Sequence, residues 1–343
     1  MSSQSKYYAI RLQFRGPVHF GSERLDYGQS ERVLHSDTLY SAIFQSWAIL
    51  GKQELIGKNV DNKNFTISST FPFYHSGEKI NYFLPRPYAR IFPENANESG
   101  AIDRKKLKKI TWLDLDHFNE WSKNGEIELV ESRIKKGFYT KSPWLPNSNS
   151  ELDELISSEV YPRVQVSRVE GEDARPYYIE KLYFHSQAGL YFLFYGTEES
   201  LNDLKVAMEV LKDEGLGTDR KVGHGQFNYF IESDIEVPSH QSSHSICISL
   251  FVPNDLEWLS HHMADSTSGG YELINRGGWI TTHPYNTFQK NRLTFFKEGS
   301  LFKSSSLISG TVHDLSPNGI ESSRKPPHPI YRVGRSIFLP INI

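Results

Sequence analysis

The sequence predicts an α+β fold: a ferredoxin-like β-α-β-β-α-β unit with one large insertion, then a strand-rich segment that reads as a second, degraded copy. Three observations predict it. Apolar and polar residues alternate over 7–14, the period of a half-buried strand. Two stretches place apolar residues at helical spacing, Leu39, Ile43, Trp47 and Leu50 in one and Leu201, Leu204, Met208 and Leu211 in the other. Strand-like segments between and after these helices complete the order of the unit.

After the first strand comes a loop with Gly16, Pro17 and Gly21. The first helix opens at Ser36, which reads as its N-cap, with Asp37 favourable in the first turn. Apolar segments near 70–74 and 82–84 follow. From about 86 to 165 the pattern dissolves into Pro, Asn, Gly and basic runs, so this stretch reads as an irregular insertion with one helix near 113–121. Residues 177–184 and 190–195 read as a strand pair turned at 187–189. Ser200 and Asp203 have capping-box spacing ahead of the second helix, and 227–231 supply the last strand. The polar stretch 232–243 reads as a linker, which divides the chain into domains of 1–235 and 244–343. In the second, strands are expected at 246–251, 272–280, 292–296 and 331–339, with a short helix near 256–262. A β-α-β-β-α-β unit leaves one sheet face free of helices. In many RNA-binding modules that face meets the nucleic acid.

With 343 residues and 38% apolar content the chain can bury two ordinary cores. Its single cysteine, Cys247, excludes an internal disulfide and a cysteine-rich metal site, and its apolar neighbours make it core filling. No apolar run resembles a signal peptide or a membrane span, so a cytoplasmic location is expected. A net charge of −3 argues against promiscuous binding of nucleic acid. Basic residues nevertheless cluster at 104–109, at Arg133, Lys135 and Lys136, and at Arg220 and Lys221. Such clusters suit one strand tracked along one face, and equally suit solvated lysines.

The segment 215–227 holds glycines at 215, 217, 223 and 225, with Asp219, Arg220, Lys221 and His224 between them. Glycine permits tight turns and removes the side chain that would keep a phosphate chain away. The same residues also suit a helix-to-strand turn with a C-cap at Gly215, in which Arg220 pairs with Asp219. The loop follows a helix rather than preceding one, and no Gly-Lys-Ser/Thr succeeds it, so neither a dinucleotide fingerprint nor a P-loop is present.

Four stretches in order, Phe20-Gly21 with 35–42 (His-Ser-Asp-Thr-Leu-Tyr-Ser-Ala), 215–227, 276–279 (Arg-Gly-Gly-Trp) and 328–335 (His-Pro-Ile-Tyr-Arg-Val-Gly-Arg), resemble the Csm4 family of type III-A CRISPR interference complexes. That family lies in the RAMP superfamily, in the Cas5-related group. The resemblance spans nearly the whole chain. It implies two ferredoxin-like, RRM-like domains with a thumb-like insertion over the guide. It implies a non-catalytic subunit that holds the 5′ repeat-derived tag of the CRISPR RNA, caps the base of the complex, and contacts Cas10 (Csm1) and Csm3. Target RNA would be met only through the complex, and neither cofactor nor metal is implied. Arg220 and Lys221 are the expected phosphate contacts, with Gly215, Gly217, Gly223 and Gly225 letting the backbone approach and His224 donating or stacking. His19, Arg24 and His35 flank the first glycine-containing loop. Arg276 beside two glycines, and Arg332 and Arg335 around Gly334, are further candidate contacts with tag or subunits. No base-reading residue is identified.

Two other readings remain. A metal-independent, Cas6-type endoribonuclease would use His19 or His35 as acid or base toward the 2′-hydroxyl and the leaving oxygen. An interaction subunit would not touch RNA at all. A metal hydrolase is disfavoured, since no His-Glu-x-x-His occurs and His261-His262 has no evident carboxylate scaffold.

Overall fold

The computed structural model describes residues 4–21, 27–89, 108–125, 130–144, 154–166, 173–265, 267–280, 284–303, 306–318 and 326–343. In the N-terminal half the elements are β1 (Lys6–Phe14), α1 (Ser36–Ile49), α2 (Gln53–Asn59), β2 (Phe65–Ile67), β3 (Phe71–Ser76), β4 (Lys79–Pro85), β5 (Trp112–Asp114), α3 (Leu115–Asn124), β6 (Ile134–Lys135), β7 (Phe138–Tyr139), β8 (Ile156–Gln165), β9 (Arg175–Phe184), β10 (Ala188–Gly196), α4 (Glu198–Glu214) and β11 (Phe227–Glu232). None of the described helices is long and apolar enough to cross a membrane.

The alternation in β1 sets the layers. Tyr8, Ile10 and Leu12 face a core closed by α1 and α4, and Ala9 faces a second core on the other side of the sheet. β1 lies between β10 and β11, antiparallel to both, with Tyr8 opposite Phe194 and Phe14 opposite Phe227. The central order is β11-β1-β10-β3, and the sheet continues through β4, β5, β7 and β6. The two helices interlock where Trp47 Nε1 donates to the Asp203 carbonyl at 2.9 Å.

Several local expectations are corrected. Ser36 lies inside α1, whose N-cap is His35; its hydroxyl instead accepts from Leu250 N at 3.0 Å, across the two halves. Leu50 is the C-cap of α1 and 44% exposed, so it does not share the buried face. α4 is capped by Thr197, which accepts from Ser200 N, while the Asp203 carboxylate turns to Lys58 at 2.8 Å. The stretch 86–165 is more regular than its composition suggests, because β5, β6 and β7 are too short for alternation to show. Its helix is found at α3, capped by Asp114 and ended at Gly125 in the left-handed region. The expected pairing of 177–184 with 190–195 does not form. β9 instead pairs with β8 along ten positions, and β10 joins β1, β2 and β3 after a turn closed by Ala188 N on the His185 carbonyl.

The C-terminal half contains β12 (His244–Cys247), α5 (Leu256–His262), β13 (Leu273–Arg276), β14 (Leu293–Phe296), β15 (Leu301–Lys303), β16 (Ile308–Ser309), β17 (Val312–Asp314), β18 (Tyr331–Val333) and β19 (Ser336–Ile341). One sheet runs β15-β12-β19-β16, and β13–β14 and β17–β18 form two-stranded ribbons. Among its described residues α5 is the one α-helix. Cys247 is buried, as expected for core filling.

The sheet face expected to stay open for RNA is covered. Ala9, Phe71, Phe73, Tyr191 and Leu193 pack there against Trp121 of α3 and Ile246, Ile248, Leu339 and Ile341 of the C-terminal half. Each fully buried Leu or Ile contributes about 1.5–3 kcal/mol, so this seam holds the halves together strongly. The stretch after β11 is docked rather than free: Ile235 and Val237 pack on the same core, and Asn119 Nδ2 donates to the Glu236 carbonyl at 3.1 Å.

Candidate nucleic-acid interface

α4 ends at Gly215, and the chain then crosses itself. Leu216 N donates to the Gly225 carbonyl at 3.0 Å, Thr218 N to the His19 carbonyl at 2.9 Å, and Gly225 N to the Pro17 carbonyl at 3.0 Å. The loop after β1 and the glycine-rich loop therefore meet at one end of the sheet. A Cβ on Gly217 would lie 2.4 Å from the His19 carbonyl oxygen, and one on Gly225 2.0 Å from that of Leu216. Gly215, Gly217 and Gly225 are thus required for the loop to close, and the amides of Leu216, Thr218 and Gly225 are spent on that closure. This corrects the picture of a backbone free to cradle phosphate. At Gly223 an added Cβ would meet nothing within 4 Å, and only its positive φ of 83° requires glycine.

The outer turn leaves its cations free. Asp219 does not hold Arg220; it pairs with Arg163 at 2.7 Å. Arg220 is half-buried and has no hydrogen-bond or ion-pair partner among the described residues, and Lys221 is exposed. His224 is buried, its Nδ1 3.8 Å from Asp219, and burial with the nearby Lys181 and Arg163 charges pushes its ring below the usual histidine range. It supports the loop and is poorly placed to stack on a base.

Arg220 looks into a cleft of about 570 Å3 between the halves. His19 and Gly217 form one wall, Thr38 and Ser41 of α1 the floor, and Arg276 and Trp279 the other wall. Beneath the floor lies the fully buried Asp37. Arg276 Nε lies 3.1 Å from its carboxylate and Arg332 Nη1 3.2 Å. Arg276 also donates to Thr38 Oγ1 at 2.8 Å, and Arg332 to Ser41 Oγ at 3.0 Å and to the Gly277 carbonyl at 3.3 Å. Burial pushes Asp37 upward, but Arg276 and Arg332 outweigh it and hold the carboxyl well below the usual range. Burial and the neighbouring Arg332 push Lys290 down to about 8.

Five cationic side chains line the cleft, Arg220, Arg276, Lys290, Arg292 and Arg332, and among the described residues no Asp or Glu does. In a chain of net charge −3, that concentrates positive potential in one place. His19 is fully buried, and its Nδ1 donates to the Glu180 carbonyl at 2.7 Å. His19 Nε2, Thr218 Oγ1 and Arg332 Nε are buried atoms without a partner among the described residues, and all three residues line the cleft. Tyr27 and Trp279, 51% and 45% exposed, border it.

Residues 240–341 match the model of the CRISPR Csm4 C-terminal domain. Over 98% of both chains this protein is 24% identical to the CRISPR system Cms protein Csm4 of Methanocaldococcus jannaschii. Over 94% of both chains it is 25% identical to the protein of the same description from Mycobacterium tuberculosis. The chain is thus similar to Csm4 proteins over nearly its whole length. Its fold is similar to one chain of a Csm3–Csm4 subcomplex from the type III-A CRISPR-Cas interference complex, with a TM-score of 0.60, 19% identity, and coverage of 98% of this chain and 100% of that one. It is equally similar to a chain of a Csm1–Csm4 cassette bound to pppApA, with a TM-score of 0.60, 21% identity and 98% coverage of each. Csm4 is thus a subunit seen with Csm1 and with Csm3 in type III CRISPR assemblies.

Within this fold the expected site residues divide. The structure brings His19, Gly215, Gly217, Arg220, Arg276 and Arg332 to one cleft. His35 is elsewhere: it is buried, its Nδ1 lies 2.8 Å from Glu298 Oε1, and it borders a second cleft with Arg32, Trp112 and Lys297. Burial raises Glu298, yet the His35 ring and the hydrogen bonds from His35 and Ser69 bring its carboxyl below the usual range. His35 is therefore a structural residue, which corrects its assignment as a ligand contact. Arg335 is corrected likewise. It is 2% exposed and donates to the carbonyls of Val60 at 2.9 Å and Phe65 at 3.0 Å and to Thr66 Oγ1 at 3.2 Å. Arg24 lies outside the described residues, as do 104–107 of the first basic run. Lys290, Arg292 and Tyr27 were missed. They sit in loops without periodicity, and nothing local in the sequence sets them apart from solvated residues.

Proposed function

We propose that this chain is a non-catalytic CRISPR RNA-binding subunit that holds the 5′ repeat-derived tag of the guide in this cleft. In this reading it caps the base of a type III-A interference complex and bridges the Cas10 subunit (Csm1) and Csm3, as relatives seen with those two partners suggest. One observation carries the RNA assignment: five cations and, among the described residues, no Asp or Glu line a single cleft, and Arg220, Lys290 and Arg292 are not among the partners of the buried Asp37, which suits a phosphate backbone. The strand order β11-β1-β10-β3 with α1 and α4 on one face supports reading the first half as a ferredoxin-like domain. The second half is then a degenerate copy that has lost a helix. The β8–β9 ribbon, with exposed Val160, Val164 and Tyr178, is the natural thumb.

The positions of the histidines support a non-catalytic reading. His35 is committed to Glu298, and His19 borders the other cleft. His35, the first of the two candidates to be tested, is thereby held away from the cationic cleft. Incubation of the purified chain with repeat RNA in EDTA is expected to leave the RNA intact; cleavage lost in His19→Ala or His35→Ala would establish the endoribonuclease instead. The binding reading is tested by removing both charges, Arg220→Ala with Lys221→Ala, in the assembled complex. Guide retention should fall, and photocrosslinks from the guide 5′ end should map to 215–227. Unchanged retention with no such crosslinks would refute it.

A further inference from the structure

Resting on the RNA-binding reading above, we infer that Trp279 is a stacking platform for one base of the bound strand, so that the C-terminal half takes a base while the Arg220 turn takes phosphate. Large aromatic side chains are usually well buried, yet Trp279 leaves 45% of its surface exposed. Its backbone is nonetheless fixed. Trp279 bridges Gln289, Ile280 N donates to the Phe288 carbonyl at 3.0 Å, and Lys290 N donates to that of Gly278 at 2.9 Å. Gly278, at φ 89°, makes the turn that precedes the indole. No other ring stacks on it among the described residues. An open aromatic face on a fixed backbone thus borders the same cleft as Lys290 and Arg220.

That pairing is what single-stranded nucleic acid needs. Cations follow the backbone, and an aromatic face takes a base without demanding a particular one, because every base has a π-face. The cleft also disfavours the obvious rival occupant. A protein partner that docked through lysine or arginine on the indole would bring its charge among five cations.

The test uses the full-length chain and a fluorescently labelled single-stranded RNA with the guide 5′ sequence, scanned with single abasic sites. Trp279→Ala should weaken binding about tenfold, and Trp279→Phe should retain most of the affinity. One abasic position should reproduce the loss and add nothing further in Trp279→Ala, since the two changes remove the same contact. If Arg220→Ala weakens binding while Trp279→Ala and every abasic site leave it unchanged, the inference fails and the binding reading stands. If none of these changes matters, or the unaltered chain does not bind, both fail. Loss of partner subunits in Trp279→Ala with RNA affinity unchanged would make the indole a protein contact and overturn the inference.

Discussion

Arg276 places its Nε 3.1 Å from the carboxylate of Asp37, joining the C-terminal half to the first turn of α1 beneath the cleft. Arg332 reaches the same carboxylate at 3.2 Å. Removing one partner of a buried charged set leaves the others uncompensated. Asp37→Ala is therefore expected to lose about 3–5 kcal/mol, read from denaturant unfolding of the full chain.

The same site sets a pH dependence. The Asp37 carboxyl is depressed in the folded state, as is that of Glu298. Their stabilisation is then fully present above the unfolded carboxylate value of about 4 and declines as pH falls below it. Unfolding free energy should be nearly flat through neutrality and drop in acid, and Asp37→Ala should show the shallower drop. An equal acid slope in both proteins would count against the assignment.

Two glycines of the loop should respond differently. Gly225→Ala drives a Cβ to 2.0 Å from the Leu216 carbonyl oxygen, whereas Gly223→Ala meets open space. Gly223→Ala should cost about 1–2 kcal/mol for its left-handed backbone alone. Gly225→Ala should cost clearly more, because the crossing of the chain must open; thermal unfolding distinguishes the two.

Arg220 has no partner to lose among the described residues. Arg220→Ala should keep stability within about 0.5 kcal/mol. RNA affinity should fall, and the slope of log affinity against log salt should shrink by about one. A salt titration of binding checks both at once.

Lys290, held down to about 8 by burial and the neighbouring arginines, is charged at neutral pH and neutral in mild alkali. Affinity for RNA should weaken as pH rises through that value. Lys290→Met should bind less tightly near neutrality and lose that step of the pH profile, measured at constant ionic strength.

Arg335 provides the opposite control. Arg335→Ala removes the hydrogen bonds to the Val60 and Phe65 carbonyls and to Thr66 Oγ1 and should cost about 2–3 kcal/mol. At temperatures where the variant stays folded, its RNA affinity should be unchanged.

The elements that could be read in advance are those with enough residues to display a period. β1, α1, α4 and β11 recur where alternation or helical spacing put them. What escaped notice was decided at a distance. β9 left its neighbour β10 for β8, because pairing partners are not encoded in a strand's own period. The helix-free face was hidden by Ile246, Ile248 and Leu339, residues more than 200 positions from the sheet's first strand. The site was half legible. Arg220, Arg276 and Arg332 stand beside glycines, and that juxtaposition drew attention to them. His35 and Arg335 stand in the same motifs, yet they face inward, since a motif marks where a constrained backbone lies and not which way its cations point. Lys290 and Arg292 enter the cleft only because the β13–β14 ribbon folds over α1.

The carboxylate under the cleft floor belongs to the beginning of the chain, whereas both of its guanidinium partners arrive hundreds of residues later. During synthesis an emerging Asp37 must wait, hydrated, for counter-ions not yet translated. A nascent polypeptide therefore cannot complete this ion-paired set before Arg332 has left the ribosome. Completion of that set comes after translation of the second half and reports that both halves have docked.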